Sequence, residues 1–238
     1  MAEPTDLDGL IDGAEVQPAV LELRPDYRVM LLAVDGLTSG ARDPYTDTLL
    51  HRAEQVAAEL LTEKAVEELP HIAAWREAYR AFGAKPQRTR NSLEALTRRA
   101  AAGLPRVNSL TDIYNAVSVR HQLPVGGEDL ARYVGSPRLA RATGEESFAT
   151  VAVGDQVVEP PDVGEVVWCD DQAVTCRRWN WRQCSRTQLT DQTTTALFIL
   201  NALAPVSDQA LSAAAQDLID NIARSHSGVR VVTRLIAP

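Results

Sequence analysis

The spacing of apolar residues changes character midway along the chain. Over 27–34, Tyr27-Arg28-Val29-Met30-Leu31-Leu32-Ala33-Val34 forms a short apolar run closed by Asp35-Gly36, the pattern of a buried strand ending in a turn. From 43 to about 69, Leu49, Leu50, Ala53, Val56, Ala57, Leu60 and Leu61 recur at spacings of three and four. This predicts an amphipathic helix started near Asp43-Pro44 and stopped by Pro70. A shorter helix follows over 72–82 and ends at Gly83. Asn91 with Glu94 three residues on is a capping-box variant for a third helix, with Leu93, Leu96 and Ala100 inside, Arg98 and Arg99 partly outward, and Gly103 as its stop. Ser109 with Asp112 starts a fourth, whose inner face is Ile113, Ala116 and Val117; Asp112 and Asn115, three apart, are neighbours on it.

Beyond 125 the helical period gives way to short β-like runs at 129–134, 138–142, 148–153, 165–169 and 173–178, the last two joined by Asp170-Asp171-Gln172 as a hairpin. A β-branched, apolar run at 193–200 predicts another strand, 210–223 a helix, and 229–236 a final strand after Gly228. The pattern predicts an α+β fold, a helical N-terminal half packed on a mixed, mainly antiparallel sheet.

At 238 residues and 45% hydrophobic content the chain can bury one substantial core. No run reaches the roughly 18 apolar residues of a membrane span, and the acidic N-terminus is unlike a signal peptide, so a cytoplasmic protein without a membrane partner is expected. The net charge of −8 argues against non-specific coating of nucleic acid. That charge is uneven. Residues 1–26 carry seven acids against Arg24 alone, so 1–25 reads as an acidic, disordered tail ahead of one domain over 26–238. Segment 76–106 reverses the sign, with Arg76, Arg80, Lys85, Arg88, Arg90, Arg98, Arg99 and Arg106 opposed by Glu77 and Glu94. Arg177, Arg178, Arg182 and Arg186 form a second basic cluster. Either alone is an ordinary solvated face; two on an acidic protein point to an anion met locally.

Cys169, Cys176 and Cys184 lack the spacing of a zinc site or a disulfide framework and read as small core residues, with Cys184 held open as a ligand contact or nucleophile. His51, His71, His121 and His226 fit structural or solvent-facing roles. No metal-ligand spacing, phosphate-cradling glycine loop or GxSxG elbow is present, and no metal or cofactor is expected. Three patches stand out: Arg98-Arg99 through Asn115, which capping and hydrogen bonding explain as well as a site does; Trp179-Asn180-Trp181-Arg182-Gln183-Cys184-Ser185-Arg186-Thr187; and the hydroxyl run Thr187, Thr190, Thr193, Thr194, Thr195, for which β-propensity is the simpler account. In the second, tryptophan faces can stack on bases or aromatic side chains, and guanidinium forks can take phosphate or carboxylate.

The stretch from Leu96-Thr97-Arg98-Arg99 through Gly103, Asn108, Asp112 and Asn115 to Gln122-Leu123-Pro124 resembles the B3/B4 editing domain of the phenylalanyl-tRNA synthetase β subunit. Gly164-Glu165-Val166-Val167, Asp170-Asp171 and Arg177-Arg178-Trp179-Asn180-Trp181-Arg182 resemble free-standing B3/B4 proteins, the likeness covering about 75–225. In the synthetase this domain opens the ester of a wrongly attached tyrosine at the tRNA 3′ end. The resemblance therefore implies tRNA 3′ end or aminoacyl-tRNA as partner, with Asn115, Asn180 and Gln183 orienting substrate or water. It implies Arg98, Arg99 and Arg182 at phosphates, Trp179 or Trp181 as a pocket wall, and Asp112, Cys184 and Thr187 as further substrate contacts. Where the synthetase has Pro-Leu-His-Ala-Phe-Asp this chain has Pro124-Val125-Gly126-Gly127-Glu128-Asp129, and the synthetase's Gly-Gly-Glu element falls near Arg182-Gln183-Cys184 unmatched. Three functions stay open at this point: a trans-editing deacylase, a non-catalytic tRNA-binding or aminoacyl-sensing module, and a small amino-acid or carboxylate binder.

Overall fold

The computed structural model describes residues 6–38, 44–152 and 154–238. In chain order it contains α1 (Leu7–Asp12), β1 (Glu15–Val16), α2 (Pro18–Leu23), β2 (Arg28–Asp35), α3 (Pro44–Glu63), α4 (Pro70–Ala81), α5 (Ser92–Ala100), α6 (Ser109–His121) and β3 (Val125–Asp129). There follow β4 (Arg138–Arg141), β5 (Phe148–Ala152), β6 (Asp155–Glu159), β7 (Val166–Cys169), β8 (Val174–Arg177), β9 (Arg182–Gln183), β10 (Thr195–Ala202), α7 (Asp208–Ser225) and β11 (Arg230–Ile236). The fold is α+β. Among the described residues no helix is long and apolar enough to cross a membrane.

Two sheets organise the molecule. The four-stranded sheet runs β11-β2-β10-β3, all antiparallel; the five-stranded sheet runs β1-β4-β7-β8-β9, with β1 parallel to β4 and the rest antiparallel; β5 and β6 form a separate ribbon. Strand parity divides β2 and β10 between two cores. Leu32, Val34, Phe198 and Leu200 face a core built with α3, α6 and α7, through Leu49, Ala53, Val117, Leu211 and Leu218. Leu31, Ala33, Leu197 and Ile199 face the other, shared with Trp75 of α4, Leu139, Val166, Trp168 and Trp179. Covered on both faces, β10 is buried along its whole length, which is why it reads as a continuous apolar run rather than an alternating one.

The helix at 44–69 is shorter than its sequence pattern. It ends at Glu63, a 3₁₀ turn occupies Val66–Glu68, and Pro70 opens α4 instead of merely stopping the helix before it; Asp43, expected at its start, lies outside the described residues. α6 is capped by Asn108, whose side chain accepts from Thr111 N at 2.9 Å, so Ser109 is its first residue and not its cap. The strand expected at 129–134 lies one turn earlier, as β3, and Leu130–Arg132 is 3₁₀. Val153, the expected end of β5, is also outside the described residues.

From Asp6 onward the acidic N-terminal segment is folded rather than a tail. Leu7, Ile11 and Val20 are fully buried in the second core while the acids stay outside. Arg234 of β11 donates to the carbonyls of Ile11, Asp12 and Ala14 at 2.7–3.0 Å, and Arg230 pairs with Asp8. Composition alone hid this because the acids outnumber the apolar anchors, of which only Leu7 and Ile11 recur at helical spacing within one six-residue helix.

Candidate functional site

A cavity of about 260 Å³ lies between the two sheets. Cross-strand partners point their side chains to one face, and Trp168, Cys176 and Gln183 form such a row across β7, β8 and β9 on one wall. The opposite wall is the edge of the four-stranded sheet, with Gly126 and Glu128 of β3 and Ile199 and Asn201 of β10. Ser92 and Leu96 of α5 and Tyr114 and Asn115 of α6 close the side.

The turn between β8 and β9 delivers the aromatic and amide groups. Arg178 and Trp179 both adopt left-handed backbone, at φ 48° and 68°, an uncommon conformation for non-glycine residues. It is held by Arg178 N donating to Glu165 Oε1 at 3.0 Å and Trp179 N donating to Val166 O at 2.6 Å. Glu165 is itself gripped by Arg177 through bonds of 2.9 and 2.7 Å. Trp179 consequently turns inward against Tyr27, Trp75 and Phe82. Trp181 stays half-buried, with the Arg178 guanidinium 4.5 Å from its ring centroid and those of Arg177 and Arg182 at 5.9 Å.

Six of the residues singled out in the sequence meet in this cavity: Asn115, Asn180, Gln183, Trp179, Trp181 and Arg182. The Asn180 Oδ1 accepts from Tyr79 at 2.9 Å, which fixes the amide and leaves Nδ2 without a protein partner. Gln183 Nε2 donates to Gly127 O at 2.5 Å, tying the short strand β9 to β3 across the gap between sheets. Arg182 sits half-buried, donating to Val151 O at 3.1 Å, and has no ion pair among the described residues.

The other five lie elsewhere. Arg98 is paired with Glu94 and Glu67; Arg99 is exposed on the same helix. Asp112 is fully buried, and its Oδ1 accepts from Val107 N at 2.8 Å, bracing the loop into α6. Cys184 is buried in a small core with Phe148, Val167 and Val174, its Sγ 3.2 Å from the hydroxyl of Thr187, itself fully buried. Neither lines the cavity. The basic clusters likewise resolve mainly into structure: Arg76 reaches the buried Glu94 at 2.7 Å, Arg106 reaches Glu54 at 2.6 Å, and Arg186 grips Asp170 with two bonds of 2.8 Å.

The sequence reading missed Glu128. It is 1% exposed on the cavity wall, and neither carboxyl oxygen has a partner at hydrogen-bonding geometry. Desolvation pushes its pKa up to about 7; the nearby hydroxyls of Tyr133 and Thr175 oppose the rise without satisfying the oxygens. Placing the strand at 129–134 left Glu128 in a turn, where a glutamate is unremarkable. The signal lay in parity: with β3 starting at Val125, Glu128 sits between Gly127 and Asp129 in a strand buried almost throughout. Ser92, Trp168 and Cys176 were also missed, since nothing in their local sequence marks them.

The B3/4 domain family pattern matches residues 74–223. Among solved structures the chain is similar to an N-terminal fragment of the phenylalanyl-tRNA synthetase β subunit from Pyrococcus horikoshii, at 9% identity and a TM-score of 0.48, covering 94% of this chain and 54% of that one. The chain thus spans about half the length of that fragment. No curated protein matches it. Every cavity-lining residue from Ser92 to Asn201 falls inside the matched segment, and it is on that match that the chain belongs to the B3/4 domain family.

Proposed function

We propose that the cavity receives the aminoacyl end of a charged tRNA and that the protein hydrolyses the ester of mischarged species. The observation that carries this reading is the concentration of buried polar groups without protein partners on residues of one cavity: Glu128, Trp168 Nε1, Trp179 Nε1, Asn180 Nδ2 and Ser92 Oγ. Buried polar groups in folded proteins are almost always paired, so five on one small cavity mark a place built for ligand atoms. The volume, below the roughly 300 Å³ at which drug-sized pockets begin, suits a single aminoacyl group.

In this reading the acyl group enters and the ribose and phosphates stay at the rim, where Arg182 and the exposed Arg99 meet them. Asn115 and Gln183 position a water against the acyl carbon, and Asn180 Nδ2–H donates to the oxyanion that forms. The bond from acyl carbon to ribose oxygen then breaks, and the water's proton passes to the ribose, whose neighbouring hydroxyl relays it. Arg98, committed to Glu94, serves stability instead.

The test is deacylation of a panel of correctly and incorrectly charged tRNAs. Asn180→Ala and Arg182→Ala are expected to lower turnover, Asn180→Ala by about 100-fold; Arg182→Ala should leave the thermal melt nearly unchanged, whereas Asn180→Ala strands the buried Tyr79 hydroxyl and costs about 1–3 kcal/mol as well. Unchanged turnover in both variants would sink the assignment. A second reading, a non-catalytic aminoacyl or tRNA binder, is favoured by Gly126 at the position where the synthetase domain carries its histidine, and by a cavity lining that holds no histidine among the described residues. It predicts tRNA binding that weakens with salt and no hydrolysis at all.

A further inference from the structure

The two walls of the cavity differ in hydrogen-bonding sense. The β3 wall presents Glu128, which when ionised can only accept, while the facing wall presents Trp168 Nε1–H and Asn180 Nδ2–H, which can only donate. An acceptor set against donors matches a ligand that carries a cation close to an oxygen acceptor. A ligand with one polar group, or with a carboxylate alone, leaves one wall unpaired.

Among the described residues no protein cation pairs with Glu128. Arg186, the arginine whose charge it feels, is held by Asp170 through both its terminal nitrogens. The Asp170 carboxylate repels Glu128. Tyr133 and Thr175 offer hydroxyls only; Arg182, the cation lining the cavity, donates to Val151 O and is not among the charges acting most strongly on Glu128, and burial raises Tyr114 to about 12 and lifts Cys176 well above its ordinary range. The indole faces of Trp179 and Trp181, on the same cavity, add a surface that attracts cations.

We propose that Glu128 is the specificity-determining counter-ion for the free ammonium of an α-aminoacyl ligand, whose acyl oxygen accepts from Trp168 Nε1–H and Asn180 Nδ2–H. This rests on the aminoacyl reading above and narrows it: the cavity recognises the feature common to every aminoacyl ester and rejects acyl groups whose amine is blocked or missing. Glu128 is a positioning residue and takes no part in bond breaking.

Binding measured apart from hydrolysis tests it. The intact protein is titrated calorimetrically with the methyl esters of the proteinogenic L-amino acids and with the deamino counterparts of those that bind. The expected result is binding of one or more amine-bearing esters, loss of affinity of about tenfold or more for their deamino forms, and a similar loss in Glu128→Gln, whose unliganded melt confirms that it folds. Because the ammonium draws Glu128 into its ionised form, binding near pH 7 releases about half a proton from Glu128, while the fraction of the ester amine that is free base takes one up; Glu128→Gln keeps only the uptake, so the dependence of the heat on buffer ionisation differs between the two proteins by about half a proton per ligand. A carboxyl that only filled space would leave the two proteins alike. Equal binding of deamino esters, unchanged affinity in Glu128→Gln, the same proton exchange in both proteins, or no binding by any ester would each overturn the inference. Amine-selective binding with no deacylation of any tRNA would uphold it and reject the hydrolase reading instead.

Discussion

Adjacent glycines on β3 meet opposite surroundings. A Cβ at Gly127 would fall 2.7 Å from Leu189, 3.0 Å from Tyr114 and 3.1 Å from Phe198, whereas one at Gly126 would meet only Gln183 Nε2, at 3.8 Å. Gly127 is therefore required by packing, and Gly127→Ala is expected to cost about 1–3 kcal/mol, read in chemical denaturation. Nothing steric requires Gly126, so its glycine leaves cavity space that a histidine would occupy. Gly126→His should fold with a melt within a few degrees of the parent and, if the protein is a deacylase, raise turnover by up to about 100-fold through a positioned imidazole. An unfolded Gly126→His would show that the wall is tighter than its contacts indicate. Glu128, two residues on, makes stability depend on pH. Its folded pKa of about 7 lies above the ordinary glutamate value of 4.5, so the folded state holds the proton more tightly. Stability is then full below pH 4.5 and falls as pH rises through 7, by about 3 kcal/mol for this one group. Glu128→Gln removes that slope and is expected to be more stable than the parent at pH 8 and no more stable at pH 4, as urea titrations at the two pH values would show.

Helix α5 buries a charge cluster beside its apolar stripe. Glu94 is fully buried and meets Arg76 of α4 at 2.7 Å and Arg98 at 3.0 Å. Removing one partner of a buried pair leaves the other charge uncompensated, which costs several kcal/mol, while a half-exposed partner is worth much less. Arg76→Ala should accordingly destabilise by about 3 kcal/mol and Arg98→Ala by no more than about 1 kcal/mol, a difference visible as separated melts. If Arg98→Ala instead leaves stability untouched and weakens tRNA binding, its place is at the phosphates after all. Local signals announced this helix well: Asn91 caps it by accepting from Glu94 N at 2.9 Å, as its spacing from Glu94 implied. They announced its partner poorly, because Arg76 and Glu94 lie on different helices and only folding brings them together. The same limit separates Trp179 to Gln183, one dense stretch that the sequence displayed as a patch, from Glu128 and Trp168. Those two join it only through strand pairing, and a one-residue error in placing β3 turns Glu128 from the cavity wall to the opposite face. The N-terminal helices escaped notice for a related reason, since Leu7, Ile11 and Val20 reveal their worth only against the core that receives them.

The molecule as a whole carries a charge of −8 and yet is proposed to meet a polyanion. Most of its arginines are spent on carboxylates within the fold, among them Arg76, Arg106, Arg177 and Arg186. Of the Arg and Lys side chains without an ion pair among the described residues, Arg182 at the cavity rim and Arg99 on the outer side of α5 are the best placed for phosphates of the 3′ end, while others such as Arg52, Lys64, Lys85 and Arg132 lie on other elements. With only these two beside the cavity, such a protein is expected to grasp the single-stranded 3′ end more than the body of a tRNA. Binding is then expected to be weak and only mildly salt-dependent. Two or three neutralised phosphates on a single strand give a slope of log affinity against log salt of about −1.4 to −2, against −5 or steeper for a protein that coats duplex RNA. Titration of charged and uncharged tRNA between 50 and 200 mM salt measures this, and a short CCA-ended oligonucleotide should reproduce nearly all of the affinity. A steep slope, or an oligonucleotide that fails to bind where tRNA succeeds, would mean that a second, more extended basic surface does the holding. With the shallow slope, discrimination between charged and uncharged tRNA has to come from the cavity, because the rim contacts are the same for both.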